Sequence, residues 1–498
     1  MPFTHEDPEE DRTGAGAEAA DPSMAARPPA PPPPRPRGGF GEYFSPERYR
    51  HIPAVLLRSI VAVLVGSLVL RIAAQTMGQM LQFYLVEIDR NYYPISYTER
   101  GLIIASFFIT ELLGSLVLGA MSDRYGRKVF ILLGPVFGAI AVQITSMTVS
   151  VWLLVITRLL EGLSTASSIP ATLGYISEAT TDRPDMRARV VGLFEITLVG
   201  GIAVGAITGG YLWKFLGSPM SFFGIRLISP AFSVNGLIYI ISLLIFLWGL
   251  SEIRSGPKVP GSKVPGSKDR GGDDHSHGSF SQYLAILRSP SVWRFVPAWL
   301  GINSIIGMWI NHSVGLMTGR HMAGQALTGN VTPEKFGNGF ATLAVIFALG
   351  VLVWSFYLGR HRRTSVMLMA TCGLFATVAI VYTLNHMESF SDPLFYPLLA
   401  ALLISLFVLS GFTPAALTYL ADVTESHTRS RGSIMGLYSV FLGVGQVVGT
   451  SAGGRFADWL GIDGLLLLSV IFGIITAWSL VALRRRELPT GGRREPQA

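Results

Sequence analysis

Five ionisable side chains stand inside stretches that otherwise carry no charge: Arg71, Glu111, Arg158, Glu161 and Glu195. In a bilayer each such charge costs at least about 2.5 kcal/mol near the centre, so each needs a task or a partner. A guanidinium there suits carboxylate and phosphate groups. A carboxyl in apolar surroundings can take up and release protons near neutral pH. Glu161 lies one turn from Arg158 and reads as its neutraliser, which leaves Glu111 and Glu195 as the candidates for proton coupling. Arg71, Gln75, Gln79 and Gln82 fall within an arc of about 80° on one helical face. Arg158, Glu161, Thr165, Ser168 and Thr172 occupy a similar arc, and Asn303, Gly307 and Asn311 follow at helical spacing. Such stripes line a polar path or make hydrogen bonds between helices. His312 reads as an interfacial residue or a ligand.

Other chemistries have no residues to serve them. There is no H-E-x-x-H, no Ser/Lys catalytic pair and no G-x-x-x-x-G-K-[ST] loop, so neither hydrolysis nor ATP drives anything here. The single cysteine, Cys372, excludes an intrachain disulfide and a cysteine metal cluster. His275 and His277 sit in a D-D-H-S-H-G run and read as solvated linker rather than a four-ligand metal site. No enzyme activity, metal or cofactor is expected.

The polar stripes must be carried by elements that live in lipid. Half of the 498 residues are hydrophobic and only 14% are charged, against about 25% in soluble domains. Mean hydropathy is +0.45. Soluble enzymes, coiled coils and wholly disordered chains are excluded. Twelve apolar segments, each near the roughly 20 residues a spanning helix needs, lie at 60–86, 101–121, 129–148, 152–177, 190–213, 230–251, 295–318, 337–358, 364–385, 394–421, 433–456 and 464–483. Runs such as Val129 to Thr157 and Pro393 to Ala421 contain no charge at all. The expected fold is an all-α membrane protein of twelve transmembrane helices in two six-helix, pseudo-symmetric halves.

With the N-terminus inside, 30 of the 39 Lys and Arg fall on inner segments and seven on outer ones: Arg90, Arg100, Lys214, Arg226, Arg320, Lys335 and Arg455. That bias predicts both termini in the cytoplasm of a cell whose plasma membrane holds the protein. It also accounts for the +7 charge without nucleic acid. The expected organisation is a disordered tail over 1–55, a first half over 56–252, a linker over 253–290 with tandem K-V-P-G-S-K, a second half over 291–485, and a tail over 486–498.

A shift of 244 residues lays the first half on the second. Pro170 falls on Pro414, Tyr175 on Tyr419, Glu178 on Asp422 and Arg187 on Arg431. Gly192, Gly201, Gly205, Gly209 and Gly210 fall on Gly436, Gly445, Gly449, Gly453 and Gly454. Repeats of this kind place a substrate site between the halves of a transporter. The glycines present flat faces for helix packing, and Glu178–Arg187 and Asp422–Arg431 are expected as matched inner ion pairs.

The segment G-A-M-S-D-R-Y-G-R-K, Gly119 to Lys128, resembles the loop motif G-x-x-x-D-R-x-G-R-K of the major facilitator superfamily. The run L-V-I-T-R-L-L-E-G-L-S-T-A from Leu154 to Ala166 is similar to a second motif of that family, with Arg158 and Gly162 at its defining positions. The spaced glycines from Gly192 to Gly210 resemble its antiporter motif, with Ala206 where the family has Pro. The resemblance implies that Gly119, Asp123, Arg124, Gly126, Arg127 and Lys128, with Glu178, Arg187, Asp422 and Arg431, form an inner gate. The second-half loop Gly359-Arg-His-Arg-Arg363 lacks the Asp, so this latch is expected to be asymmetric. The resemblance further implies that helices one, four, seven and ten line a cavity. Arg71, Gln75, Gln79, Arg158, Glu161, Asn303 and Asn311 are then the expected substrate contacts. A monomeric, proton-coupled exporter of a small solute is the leading expectation. Uptake or uniport of an anionic metabolite is the rival, and a solute-sensing receptor is the reading outside transport.

Overall fold

The computed structural model describes residues 53–181, 184–222, 225–251, 290–358, 361–424 and 431–487. They form the helices α1 (Ala54–Asn91), α2 (Tyr97–Tyr125), α3 (Arg127–Thr145), α4 (Val151–Ala179), α5 (Pro184–Leu216) and α6 (Pro230–Gly249). The second half comprises α7 (Pro290–Thr318), α8 (Pro333–Tyr357), α9 (Arg363–Asn385), α10 (Phe395–Leu409), α11 (Phe412–Thr424), α12 (Arg431–Leu460) and α13 (Ile462–Glu487). α10 and α11 make one span interrupted at Ser410-Gly411, so the described residues form twelve spans. The expected tails and the linker lie almost wholly outside the described residues. One addition to the all-α expectation is a hairpin between α5 and α6, β1 (Met220–Phe222) and β2 (Ile225–Leu227), antiparallel with Met220 opposite Leu227.

Local signals set the helix ends. Ser96 and Glu99 form a reciprocal capping box at the start of α2, which satisfies two orphan amides. Pro230 and Pro333 open α6 and α8 at positions where a missing N–H is harmless. Gly126 joins α2 to α3 at φ 101°, a conformation that favours glycine. Among the described residues nine helical spans are long and apolar enough to cross a membrane on composition alone. The remaining three, α4, α7 and α12, carry the buried polar side chains Arg158, Glu161, Asn303, Asn311 and Gln446. Trp248, Phe356 and Trp478 are at least 70% exposed, as side chains facing lipid tails should be.

Each half has its own apolar core. In the first, Met77, Met80, Tyr84 and Phe232 pack together, as do Ile131, Tyr175, Phe194 and Phe246. In the second, Trp299, Phe412, Tyr419 and Leu465 belong to one cluster. The glycines placed by the repeat govern how the halves are built. A Cβ on Gly201 would meet the Arg71 side chain and the Leu68 carbonyl, and one on Gly445 would meet Asn303 and the Leu300 carbonyl. Gly205 and Gly449 meet the Ile72 and Ser304 carbonyls in the same way. The α1–α5 and α7–α12 crossings are therefore copies of one another, with backbones in contact because no side chain intervenes.

Gly210 and Gly454 instead face across the halves. A Cβ there would lie 2.6 Å from the Pro333 oxygen and 2.5 Å from the Tyr97 oxygen respectively. Gly101 approaches the Thr450 oxygen at 2.7 Å and Gly337 the Ala206 oxygen at 2.5 Å, measured the same way. Two matched crossings, α2–α12 and α5–α8, thus close the end of the molecule that the charge bias makes the outer one. Hydrogen bonds and ion pairs joining described residues of the two halves all lie at this end. Ala206 and Glu195 share a face of α5, about three turns apart, yet Ala206 is fully buried and Glu195 is exposed.

Candidate functional site: a polar cavity under a closed outer seal

A small cavity, partly open to solvent, is lined by α1, α4 and α5. Its polar wall is Arg71 with Ser67, Ser164, Thr165, Ser168 and Thr172. The stripes predicted on α1 and α4 thus meet, because Gly201 lets α5 press Arg71 toward α4. Glu111 on α2 and Glu195 on α5 are the carboxylates whose charge acts on Arg71, but neither closes an ion pair with it.

Arg158 behaves differently. Its guanidinium contacts Glu161, both side chains are about 5% exposed or less, and it lies over the Phe107 ring. Neither residue is on the cavity wall. Gln75 packs its stem on Gly205, and Gln79 is buried against Gly209 with its Nε2 unpartnered. Asn303 donates to the Trp299 carbonyl at 2.8 Å, and Asn311 donates to the Gly307 carbonyl at 2.8 Å and to Thr450 Oγ1 at 3.0 Å. Their amides are engaged in helix packing. His312 is fully inside, its Nε2 2.7 Å from the Thr450 carbonyl, so it belongs to the α7–α12 contact and not to the interface with solvent.

The outer seal contains residues that the sequence left among loop charges. Arg100, expected in an outer loop, is in the first turns of α2, only 3% exposed. It pairs with Asp89 at 3.2 Å and stacks on Tyr97. Asp89 also meets Arg320 of the other half at 3.2 Å, so one carboxylate joins both halves. Asp458 on α12 accepts from the Tyr97 and Thr98 amides at 2.6 and 2.8 Å, capping α2 from across the interface where the helix dipole favours an anion. At the corresponding place in the other crossing, Lys214 pairs with Glu334 at 3.2 Å. Arg90 donates to the Gly319 carbonyl at 2.7 Å.

At the inner end the loop motif is ordered within one half. Arg127 holds Asp123 at 2.8 Å and Glu178 at 2.6 Å, and its guanidinium lies against Gly174. The expected Glu178–Arg187 pair is not formed. Arg187 donates to Ser177 and Thr180 of α4 instead, because Arg127 already occupies Glu178 from α3. Asp422 pairs with Arg363 at 3.2 Å, the counterpart of Arg127–Glu178. The side chain of Arg431, and Gly436 with it, lie outside the described side chains. Arg124 stacks on Tyr125, Gly119 sits beside Pro170, and a Cβ on Gly192 would meet nothing. Among the described residues no cluster of His, Cys, Asp and Glu could hold a metal.

Similarity to known proteins follows these features. Multidrug resistance protein 1 of Bacillus subtilis (strain 168) is 25% identical over 375 residues, 73% of this chain and 82% of its own. Solute carrier family 2, facilitated glucose transporter member 12 of Danio rerio is 31% identical over 130 residues, 26% of this chain and 20% of its own. A solved bacterial homologue of the human lysosomal transporter Spinster, inward-facing and unoccupied, has a TM-score of 0.65 at 15% identity over 89% of this chain and 99% of that one. The nucleoside transporter NupG gives 0.61 at 14%, over 88% of this chain and all of its own. Both solved structures share the fold seen here. The model of the Major Facilitator Superfamily matches residues 53–332 and 322–498, and with the doubled six-helix architecture this establishes that the chain belongs to that family of membrane transporters.

Proposed function

We propose that this chain is a proton-coupled secondary transporter of the plasma membrane, monomeric and with cytoplasmic termini, and that its solute is a small organic anion. The supporting observation is Arg71, on the cavity wall, with Glu111 and Glu195 acting on its charge but not bonded to it. When those carboxyls are ionised they compensate the guanidinium. When they are protonated its charge is unmatched, and an anion entering the cavity completes it. Proton and anion then load together, and the cavity wall and carboxyls supply the coupling. Arg158 and Glu161 neutralise each other and hold α4 together. The second reading is proton exchange for an exported solute. It is favoured by the glycine pattern of α5 and by similarity to the Bacillus subtilis protein over most of both chains.

The two readings differ in the sign of a proton flux. Purified protein in vesicles carrying a luminal pH dye is given a panel of organic anions from outside, with no imposed gradient. Co-transport acidifies the lumen as the solute enters, and Glu111→Gln or Glu195→Gln removes the pH signal. Luminal alkalinisation would establish exchange and overturn co-transport.

A further inference from the structure

The outer seal contains one three-residue contact twice, with opposite chemistry. Gly101 and Gly337 approach matching carbonyls, and Arg71 and Asn303 face matching glycines. Arg100 therefore corresponds to Phe336, Gln82 to Val314 and Gly315 to Phe83. Phe83, Val314 and Phe336 pack as one buried apolar cluster that joins the halves. In the other crossing the place of Phe83 is taken by Gly315, where a Cβ would lie 3.5 Å from Arg100 Nη1 and 4.0 Å from Gln82 Oε1. Those are ordinary contact distances, so a small group has room beside the guanidinium where the matching crossing holds an aromatic ring.

Arg100 is only partly satisfied there. Its Nη2 pairs with Asp89 at 3.2 Å, but among the described residues its buried Nε and Nη1 have no partner. Two open donors on one buried guanidinium require an explanation, and an ionised acceptor meets them about twice as strongly as a neutral one. The other acids at this end of α2 are engaged: Asp458 accepts from the Tyr97 and Thr98 amides, and Glu99 from the Ser96 amide at 2.8 Å. Asp89 shares its Oδ2 with Arg320 at 3.2 Å, and its Oδ1 accepts from the Ile95 amide at 3.0 Å. Arg100 and Asp89 belong to the first half, Gly315 and Arg320 to the second. Opening the seal therefore uncovers the two free donors and breaks the Asp89–Arg320 pair.

We infer that Arg100 is an outer anion site, whose free Nε and Nη1 hold a carboxylate or another compact anion and thereby draw the seal open. An anion shifts the seal only by its preference for the open state, and that preference is the pair of donors that Gly315 covers when the halves are closed. The site itself requires no more than an anion. Its role as the first contact of the entering solute, ahead of Arg71 at the far end of the α1 stripe, rests on the co-transport reading above.

The test is the distance between spin labels at Tyr92 and Trp459, in the full chain with Cys372→Ser in lipid nanodiscs. Sodium acetate, sodium chloride and neutral acetamide are each added at constant pH and ionic strength, the balance being sodium isethionate. Acetate should raise the open population about tenfold, a usual size for coupling between a ligand and a conformational equilibrium, and acetamide should leave it unchanged. A response to acetate alone assigns the site to carboxylates, and an equal response to chloride assigns it to compact anions in general; both support it. Arg100→Lys keeps a cation for Asp89 but lacks the guanidinium's further donors, so most of the response should be lost. Arg71→Gln, which acts on the cavity and not on the seal, should keep it. No response to either anion, an equal response to acetamide, or a response kept in Arg100→Lys and lost in Arg71→Gln would overturn the site. The luminal pH measurement decides separately whether protons and solute move together.

Discussion

Alanine at Gly454 and Gly210 together is expected to abolish transport while the protein inserts and remains monodisperse. Each new Cβ would stand 2.5 or 2.6 Å from a carbonyl oxygen of the opposite half, a distance that backbone cannot accommodate without moving apart. Alanine favours a helix over glycine by about 1 kcal/mol, so the helices themselves gain. The penalty falls only on the state in which the outer seal is closed. Overpacking of this kind costs about 1–3 kcal/mol per site, which shifts a two-state equilibrium roughly 5- to 150-fold. The check is the labelling rate of a cysteine placed at Thr98 in a Cys372→Ser background: it should rise sharply in the double variant. An unchanged rate with normal transport would show that the crossings tolerate a methyl group and are not a gate.

Arg158→Ala and Arg71→Ala should fail in opposite ways. Arg158 and Glu161 contact each other in the interior with almost no exposure. Removing the guanidinium strands a buried carboxylate, a loss of about 3–5 kcal/mol, whereas replacing both partners by apolar groups of similar volume is near neutral. Arg158→Ala should therefore lower the midpoint of thermal unfolding by many degrees, and Arg158→Met with Glu161→Leu should recover most of it. Arg71→Ala leaves no ion pair broken, so thermal stability should stay near wild type while solute movement falls by a hundredfold or more, as for loss of a charged contact worth about 3 kcal/mol. A double variant as unstable as the single one would show that the pair is not self-contained.

Much of this architecture is legible in the sequence because lipid imposes long apolar runs and because the repeat conserves glycine where backbones touch. Arg71, Glu111 and Glu195 stand out for the same reason, as charges without local partners. What the sequence conceals is partnership over distance. The repeat equates Glu178 with Asp422 but is silent on what either touches: Glu178 meets Arg127 of α3 rather than the downstream Arg187, and Asp422 meets Arg363 of α9. Arg100 reads as a loop charge because an apolar window ends at the first charge it meets. Its neutraliser, Asp89, sits at the far end of another helix, and only the fold brings Arg320 to the same carboxylate.

The two halves are expected to close over the Arg71 cavity at one end at a time. Paired spin labels at Tyr92 and Trp459, exposed residues at the outer end of each half, and separately at Tyr125 and Tyr357 at the inner end, measure this directly in the Cys372→Ser background. Between alkaline solution without solute and acidic solution with the transported organic anion, the outer distance should lengthen while the inner one shortens. Two distances that stay fixed, or that change in the same sense, would contradict it.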